Sequence, residues 1–268
     1  MCITCGCSDT ASPRVSNLEV SQADHLSNHH SSPTHGEHEH DHVHGHHNTH
    51  DHEHTVLIEQ AILSKNDRIA HHNRQRFQEH NILALNFVSS PGSGKTSLLE
   101  QTIRHFIDNI FISVIEGDQE TFRDAERIQQ TGCQVVPINT GAGCHLDANM
   151  LARGLEELHP PHNSLVMIEN VGNLICPALF DLGEQAKVVI LSTTEGEDKP
   201  LKYPHIFQAS TIMILNKIDL LPHLTFDVDK CLDYARMVNP HIRIFQVSAT
   251  TGAGMQSWYD WVQTQRVG

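Results

Sequence analysis

Residues 89–96 read Ser-Ser-Pro-Gly-Ser-Gly-Lys-Thr. An apolar run precedes them (82–88, Ile-Leu-Ala-Leu-Asn-Phe-Val), and 97–103 follows with helically spaced leucine and isoleucine. Strand, glycine turn, Lys-Thr, helix is the setting that a phosphate-binding loop requires. Gly92, Ser93 and Gly94 are small enough for backbone N–H groups to close around phosphate oxygens. The helix that opens near Ser97 adds its partial positive charge. Lys95 neutralises β- and γ-oxygens, and Thr96 offers a hydroxyl to Mg²⁺. Ser89 stands where the usual pattern has its first glycine.

The rest of the body repeats the alternation of short apolar runs and helical segments. Strands are predicted at 82–88, 111–115, 135–138, 165–168, 187–191, 212–215 and 242–247, with helices at 120–130, 146–158 and 255–267. Unbroken apolar strands between helices imply an α/β fold, a mostly parallel sheet covered by helices on both faces. Ligands then gather at the carboxyl ends of the strands. A further helix is expected over 55–79, capped by Thr55, with Ile58 and Ile62 on the face that packs.

Residues 1–54 cannot join that core. They hold eight carboxylates against Arg14, which accounts for seven of the net charge of −14. Thirteen histidines fall within 25–54, many as His-X-His with Glu or Asp between. The segment is too polar to fold alone and reads as a disordered metal-binding tail, with imidazoles suited to nickel, zinc, copper or cobalt. At its start Cys2, Cys5 and Cys7 lie too close together for a disulfide scaffold and suit chelation, as Ni²⁺ or Zn²⁺ ligands. The chain therefore divides into a tail, 1–54, and a body, 55–268. An acidic chain repels phosphate backbones, so nucleic acid is not an expected partner. No run of about 18 apolar residues predicts a membrane span. Seven cysteines, an odd number, without a secretory signal point to a reducing cytoplasm.

Four motifs follow the phosphate loop. Asn216-Lys217-Ile218-Asp219 comes after the strand 212–215. The Asp219 carboxylate can accept from guanine N1–H and its 2-amino group, and adenine offers neither donor. Asn216 would brace the neighbouring loops and Lys217 would lie over the base. Ser248-Ala249 ends the last strand, where a backbone N–H would meet guanine O6. The nucleotide is therefore GTP. Asp118, in Glu116-Gly117-Asp118, is placed to reach Mg²⁺ or its waters. Glu169, in Glu169-Asn170-Val171-Gly172, occupies a metal-facing position, with Gly172 near the γ-phosphate. Lys95, Thr96, Asp118 and Glu169 are the candidate catalytic residues. Cys144-His145 and Cys176 are candidate nickel or zinc ligands, with buried structural cysteines as the competing reading. Adjacent ligands do not easily chelate one ion, which suggests a site shared across a twofold axis. Cys133 and Cys231 read as packing residues.

Taken in order, these motifs resemble the hydrogenase-maturation GTPases of the HypB family, nickel-delivering members of the SIMIBI class of P-loop GTPases. The resemblance covers about 55–268 and includes Gly-Ala-Gly-Cys-His, Glu-Asn-Val-Gly-Asn-Leu-Ile-Cys-Pro and Thr-Glu-Gly-Glu-Asp-Lys-Pro; the start, Cys2 to Cys7, is similar to a high-affinity nickel motif of some members. It implies a GTP-dependent homodimer that helps load nickel into the large subunit of nickel–iron hydrogenase. It also implies an interface Ni/Zn site from Cys144, His145 and Cys176, and a metallochaperone partner of the HypA kind. Urease-type nickel-insertion GTPases usually carry Cys-Pro-His, which this chain lacks at 144–145. A metal store with a vestigial GTPase is the rival of a different class, and Asn216 and Asp219 disfavour a small-molecule kinase.

Overall fold

The computed structural model describes Arg14–Val15 and residues 50–267. The thiols of Cys2, Cys5 and Cys7 and the histidines of 25–49 lie outside the described residues.

Seven parallel strands form the sheet: β2 (Leu83–Ser89), β3 (Ile112–Asp118), β4 (Gln134–Asn139), β5 (Leu165–Gly172), β6 (Ala186–Ser192), β7 (Ile212–Asn216) and β8 (Arg243–Gln246). Arg14–Val15, β1, adds a two-residue antiparallel edge against Ile138 and Asn139 of β4. The spatial order is β1-β4-β3-β5-β2-β6-β7-β8, so the strand that feeds the phosphate loop lies centrally, between β5 and β6. The seven-stranded parallel core matches the α/β architecture expected from the apolar runs.

Side chains alternate across the strands with a period of two, and each face acquires its own helices. Leu83, Leu85 and Phe87 point to the side covered by α2 (Lys95–Phe106), α3 (Arg123–Gln129) and α8 (Met255–Val267). Trp258 of α8 is fully buried there, and its Nε1 donates to Thr102 Oγ1 of α2 at 3.0 Å. Ala84, Val166 and Ile168 face the other side, beneath α1 (His50–Glu79) and α4 (Ala148–Leu158). Val88, Val189 and Met213 continue that side beneath α6 (Pro204–Ala209) and α7 (Val228–Val238). A four-residue helix, α5 (Lys199–Lys202), precedes α6.

Several boundaries differ from those predicted. Strands β3 and β5 run on to Asp118 and Gly172, because backbone pairing continues through polar residues: Asp118 pairs with Asn139, and Gly172 with Ser89. The motifs therefore sit within strand ends rather than beyond them. Helix α3 starts at Arg123 because Asp118 ties 119–121 into a turn. Helix α4 starts at Ala148 because Asp147 caps it, its Oδ1 accepting from Met150 N at 2.7 Å. Helix α1 begins at His50, so Thr55 lies within it rather than at its cap. Its packing face also differs. Ile58 and Ile62 are exposed, and the helix docks through Asn66, Ala70, Asn73 and Phe77, spaced by four, three and four.

Candidate nucleotide and metal sites

The phosphate loop leaves β2 and enters α2 through Gly94, whose φ of 92° is the left-handed region. A Cβ there would lie 2.5 Å from Asn216 Nδ2, so glycine is required by conformation and by contact. The loop forms one wall of a cleft of ≈ 530 Å³ that also takes in Glu116, Gly117, Asp118, Arg127, Asn170, Gly172 and Lys217.

Inside it Lys95 Nζ lies 3.1 Å from Glu169 Oε1, and Thr96 Oγ1 donates to the same oxygen at 2.7 Å. Glu169 is 1% exposed, and its Oε2 has no hydrogen-bond partner among the described residues. Glu116, directly opposite it in the β3–β5 register, is 2% exposed and likewise leaves Oε2 without a partner. Burial, reinforced by the charges of Glu169, Asp118 and Asp124 and opposed by Lys95, pushes the Glu116 carboxyl up to about 9. Two buried carboxyls with unused oxygens beside a threonine hydroxyl form a set that a hard divalent cation satisfies. Mg²⁺ therefore fits Thr96, Glu169 and Glu116. Asp118 lines the same cleft but spends its oxygens on its own turn: Oδ1 accepts from Gln119 N at 2.7 Å and Oδ2 from Thr121 Oγ1 at 2.6 Å. Sequence reasoning missed Glu116. The available signal was a glutamate in an apolar strand two residues before Asp118. It also missed Arg127, which donates to Ser97 Oγ at 3.1 Å, and Lys199, which donates to Ser90 Oγ at 3.0 Å.

At the base end Asn216 braces two loops, as its position suggested: Nδ2 donates to Ser93 O at 2.9 Å and Oδ1 accepts from Ala249 N at 3.1 Å. Lys217, with φ 63°, donates to Gly92 O at 2.7 Å. Asp219 Oδ1 is buried without a partner among the described residues, as a carboxylate awaiting donors would be. Ser248 N donates to Ala253 O and Ala249 N to Asn216 Oδ1, so the backbone N–H expected to meet guanine O6 is engaged within the protein whichever of the two residues supplies it. Of the base-end residues only Lys217 lines the phosphate cleft.

Cys144 and His145 follow β4, and Cys176 lies four residues after Gly172. One donor atom from each lies within 4.8 Å of the others, the only such three-residue cluster of metal-ligand type among the described residues. The two Sγ atoms are 2.9 Å apart, and Cys144 Sγ is 3.8 Å from His145 Nδ1. The His145 ring lies 4.0 Å from that of Phe180, and burial lowers its pKa, favouring the neutral imidazole that binds metal. All three donors come from one chain. Cys133 and Cys231 are buried among apolar side chains, and burial pushes both thiols up to about 12, consistent with packing roles.

Residues 83–246 match the family described as CobW/HypB/UreG, nucleotide-binding domain. Over 209 residues the chain is 56% identical to hydrogenase maturation factor HypB of Escherichia coli (strain K12), covering 78% of this chain and 72% of that protein. The chain belongs to the HypB branch of this family. The crystal structure of hydrogenase maturation factor HypB from Archaeoglobus fulgidus superposes with a TM-score of 0.71 at 37% identity, covering 76% of this chain and 99% of that one. HypB from Helicobacter pylori, crystallised in complex with nickel, superposes with a TM-score of 0.70 at 35% identity, covering 75% of this chain and 95% of its own. This HypB-branch chain is thus a P-loop GTPase by family and by fold.

Proposed function

We propose that the protein is a GTP-hydrolysing accessory protein that binds nickel and helps load it into the large subunit of nickel–iron hydrogenase. The observation that carries the reading is the convergence of Cys144, His145 and Cys176 just beyond β4 and β5, with β5 bordering the phosphate cleft. Two thiols and an imidazole suit Ni²⁺, and Zn²⁺ takes the same donors. A cargo ion held there lies one short loop from the strand that borders the γ-phosphate.

In this reading Gly92 to Ser97 cradle the phosphates, Lys95 neutralises the β/γ-oxygens and Asp219 selects guanine. Bound Mg²⁺, held by Thr96, Glu169 and Glu116 with Asp118 at hand, supplies neutralisation of phosphate charge. Two copies meeting across the Cys144 and Cys176 loops would give a homodimer; the exposed Ile175 and Leu179 beside Cys176 support an apolar contact there. The expected partners are a HypA-type metallochaperone as donor and the hydrogenase large subunit as acceptor, in the cytoplasm. The tail, 1–54, holds nickel in reserve through its thiols and histidines.

GTP turnover and nickel binding of the full chain test this together. Lys95→Ala should lower turnover at least ~100-fold, the scale of losing a preorganised charge at a developing anion. It should leave nickel on the N-terminal thiols in place. Cys144→Ala with Cys176→Ala should remove nickel from the body. Wild-type protein that does not turn over GTP, or nickel binding indifferent to Cys144 and Cys176, would sink the proposal.

A further inference from the structure

Beneath the two metal-binding loops runs a file of four buried polar side chains, of which only Asn170 lines the phosphate cleft. Asn86, in the middle of the core strand β2, is 0% exposed, Asn170 of β5 is 1%, Glu184 is 8%, and Lys187 of β6 is 7%. An unpaired polar group in such a place is destabilising, more so if charged, yet these side chains satisfy one another. Lys187 Nζ donates to Pro177 O at 2.7 Å and Phe180 O at 3.0 Å, and lies 3.6 Å from Glu184 Oε1. Glu184 Oε1 accepts from Asn86 Nδ2 at 3.0 Å, and its Oε2 accepts from Leu182 N at 2.8 Å. Asn86 Oδ1 accepts from Asn170 Nδ2 at 3.3 Å. Asn170 Oδ1 accepts from Leu146 N and Val171 N, both at 3.0 Å.

The file ends at the metal ligands from both directions. Pro177 follows Cys176, and Phe180 carries the ring against which His145 lies. Leu146 follows His145. Between these ends the file passes through Asn170, which lines the phosphate cleft together with Val171 and directly follows Glu169, the hydrogen-bond partner of Lys95 and Thr96. Apolar side chains would fill the same space without fixing a direction. Hydrogen bonds do fix one, so a shift of the β5 end cannot be absorbed silently. It must move Leu146 N or break a buried bond.

We propose that Asn86, Asn170, Glu184 and Lys187 are positioning residues that make the geometry of the Cys144/His145/Cys176 site depend on nucleotide state. The inference rests on the proposed function, in which this body binds both GTP and nickel. Nucleotide acts on Glu169 and Gly172, and Asn170 carries the displacement to the Cys144–His145 loop. Through Asn86, Glu184 and Lys187 the same displacement reaches the Cys176 turn, so all three ligands respond together.

The test uses the full chain with Cys2, Cys5 and Cys7 changed to Ser, so that the Ni²⁺–thiolate absorption band reports only the body site. Ni²⁺ affinity is measured from that band with GDP and with a non-hydrolysable GTP analogue. The two affinities should differ at least ~5-fold, the lower end of ordinary coupling between sites. Asn86→Leu and Lys187→Met should bring the ratio to within about 2-fold, while both nucleotides and Ni²⁺ still bind. A merely structural role would weaken both affinities equally and keep the ratio. Should Asn86→Leu fail to fold, Lys187→Met at the far end of the file decides alone. A full ratio retained in the folded variants overturns the inference, as does a ratio of one in the parent. Absence of Ni²⁺ or nucleotide binding in the parent instead overturns the functional reading beneath it.

Discussion

Glu116 makes the phosphate cleft sensitive to pH. Its carboxyl is held at about 9 in the folded protein against an ordinary value of 4.5. The folded state therefore keeps a proton that the unfolded chain gives up between those values. Stability from this group is complete below the unfolded value and is lost as pH rises through 4.5 toward about 9. Nucleotide- and metal-free protein should lose on the order of a few kcal/mol across that window, read as a falling urea midpoint. Glu116→Gln should flatten the slope; an unchanged slope in the variant would place its source elsewhere. The same residue marks a limit of reading the sequence. Thr96, Lys95 and Glu169 were legible because each stands in a recognisable pattern, and the structure joins them at one oxygen. Glu116 was not, because its importance comes from lying across the register from Glu169, and register is a property of two strands rather than of one.

Among the elements, the central strands were the most legible, since burial on both faces leaves a continuous apolar run. Their carboxyl ends were not, because pairing persists wherever backbone geometry allows, whatever the side chains. The short proline-bounded helices α5 and α6 carry too few turns for periodicity to reveal them, whereas α7, capped by Asp227, is as long as α4 and was overlooked in the sequence. Helix α1 misled for another reason: its seam is half polar. Asn66 donates to Asp181 O at 2.8 Å and accepts from Ala148 N at 2.9 Å, while Asn73 donates to Ala148 O and Leu182 O. Both asparagines span the segments that follow His145 and Cys176, and Arg74 adds a two-bond pair to Asp181. The approach is close because Gly183 has φ +92° and no side chain; a Cβ would clash with Ala70 O. Gly183→Ala should therefore destabilise by about 2–4 kcal/mol, lowering the melting temperature by several degrees. It should also loosen nickel at the body site, since α1 would be forced away from both ligand-bearing segments. A melting temperature within a degree of wild type would show that α1 yields without cost.

At the scale of the whole molecule, the donors of the body site are far apart in sequence and are assembled only by topology. β4 and β5 flank β3 and end on the same edge of the sheet, so the loops leaving them meet beside the phosphate cleft. Spacing alone revealed thiols and an imidazole but not that one chain gathers them within 4.8 Å. Among the described residues no helix is long and apolar enough to cross a membrane. The acidic, histidine-rich 1–54 segment carries half of the net charge, which favours cations around it. The proposed function, with nickel on both tail and body, calls for two nickel populations that respond differently to nucleotide. Changing Cys2, Cys5 and Cys7 to Ser should remove the thiolate-bound nickel of the tail and leave GTP turnover within about 2-fold, because no residue of the cleft is touched. Changing Cys144 and Cys176 to Ala should leave the tail nickel and abolish any dependence of nickel affinity on GTP analogue or GDP. Equilibrium dialysis of the two full-length variants, with each nucleotide, separates the populations. Nucleotide dependence that survives in the second variant would mean that the tail, rather than the body, senses the phosphate cleft.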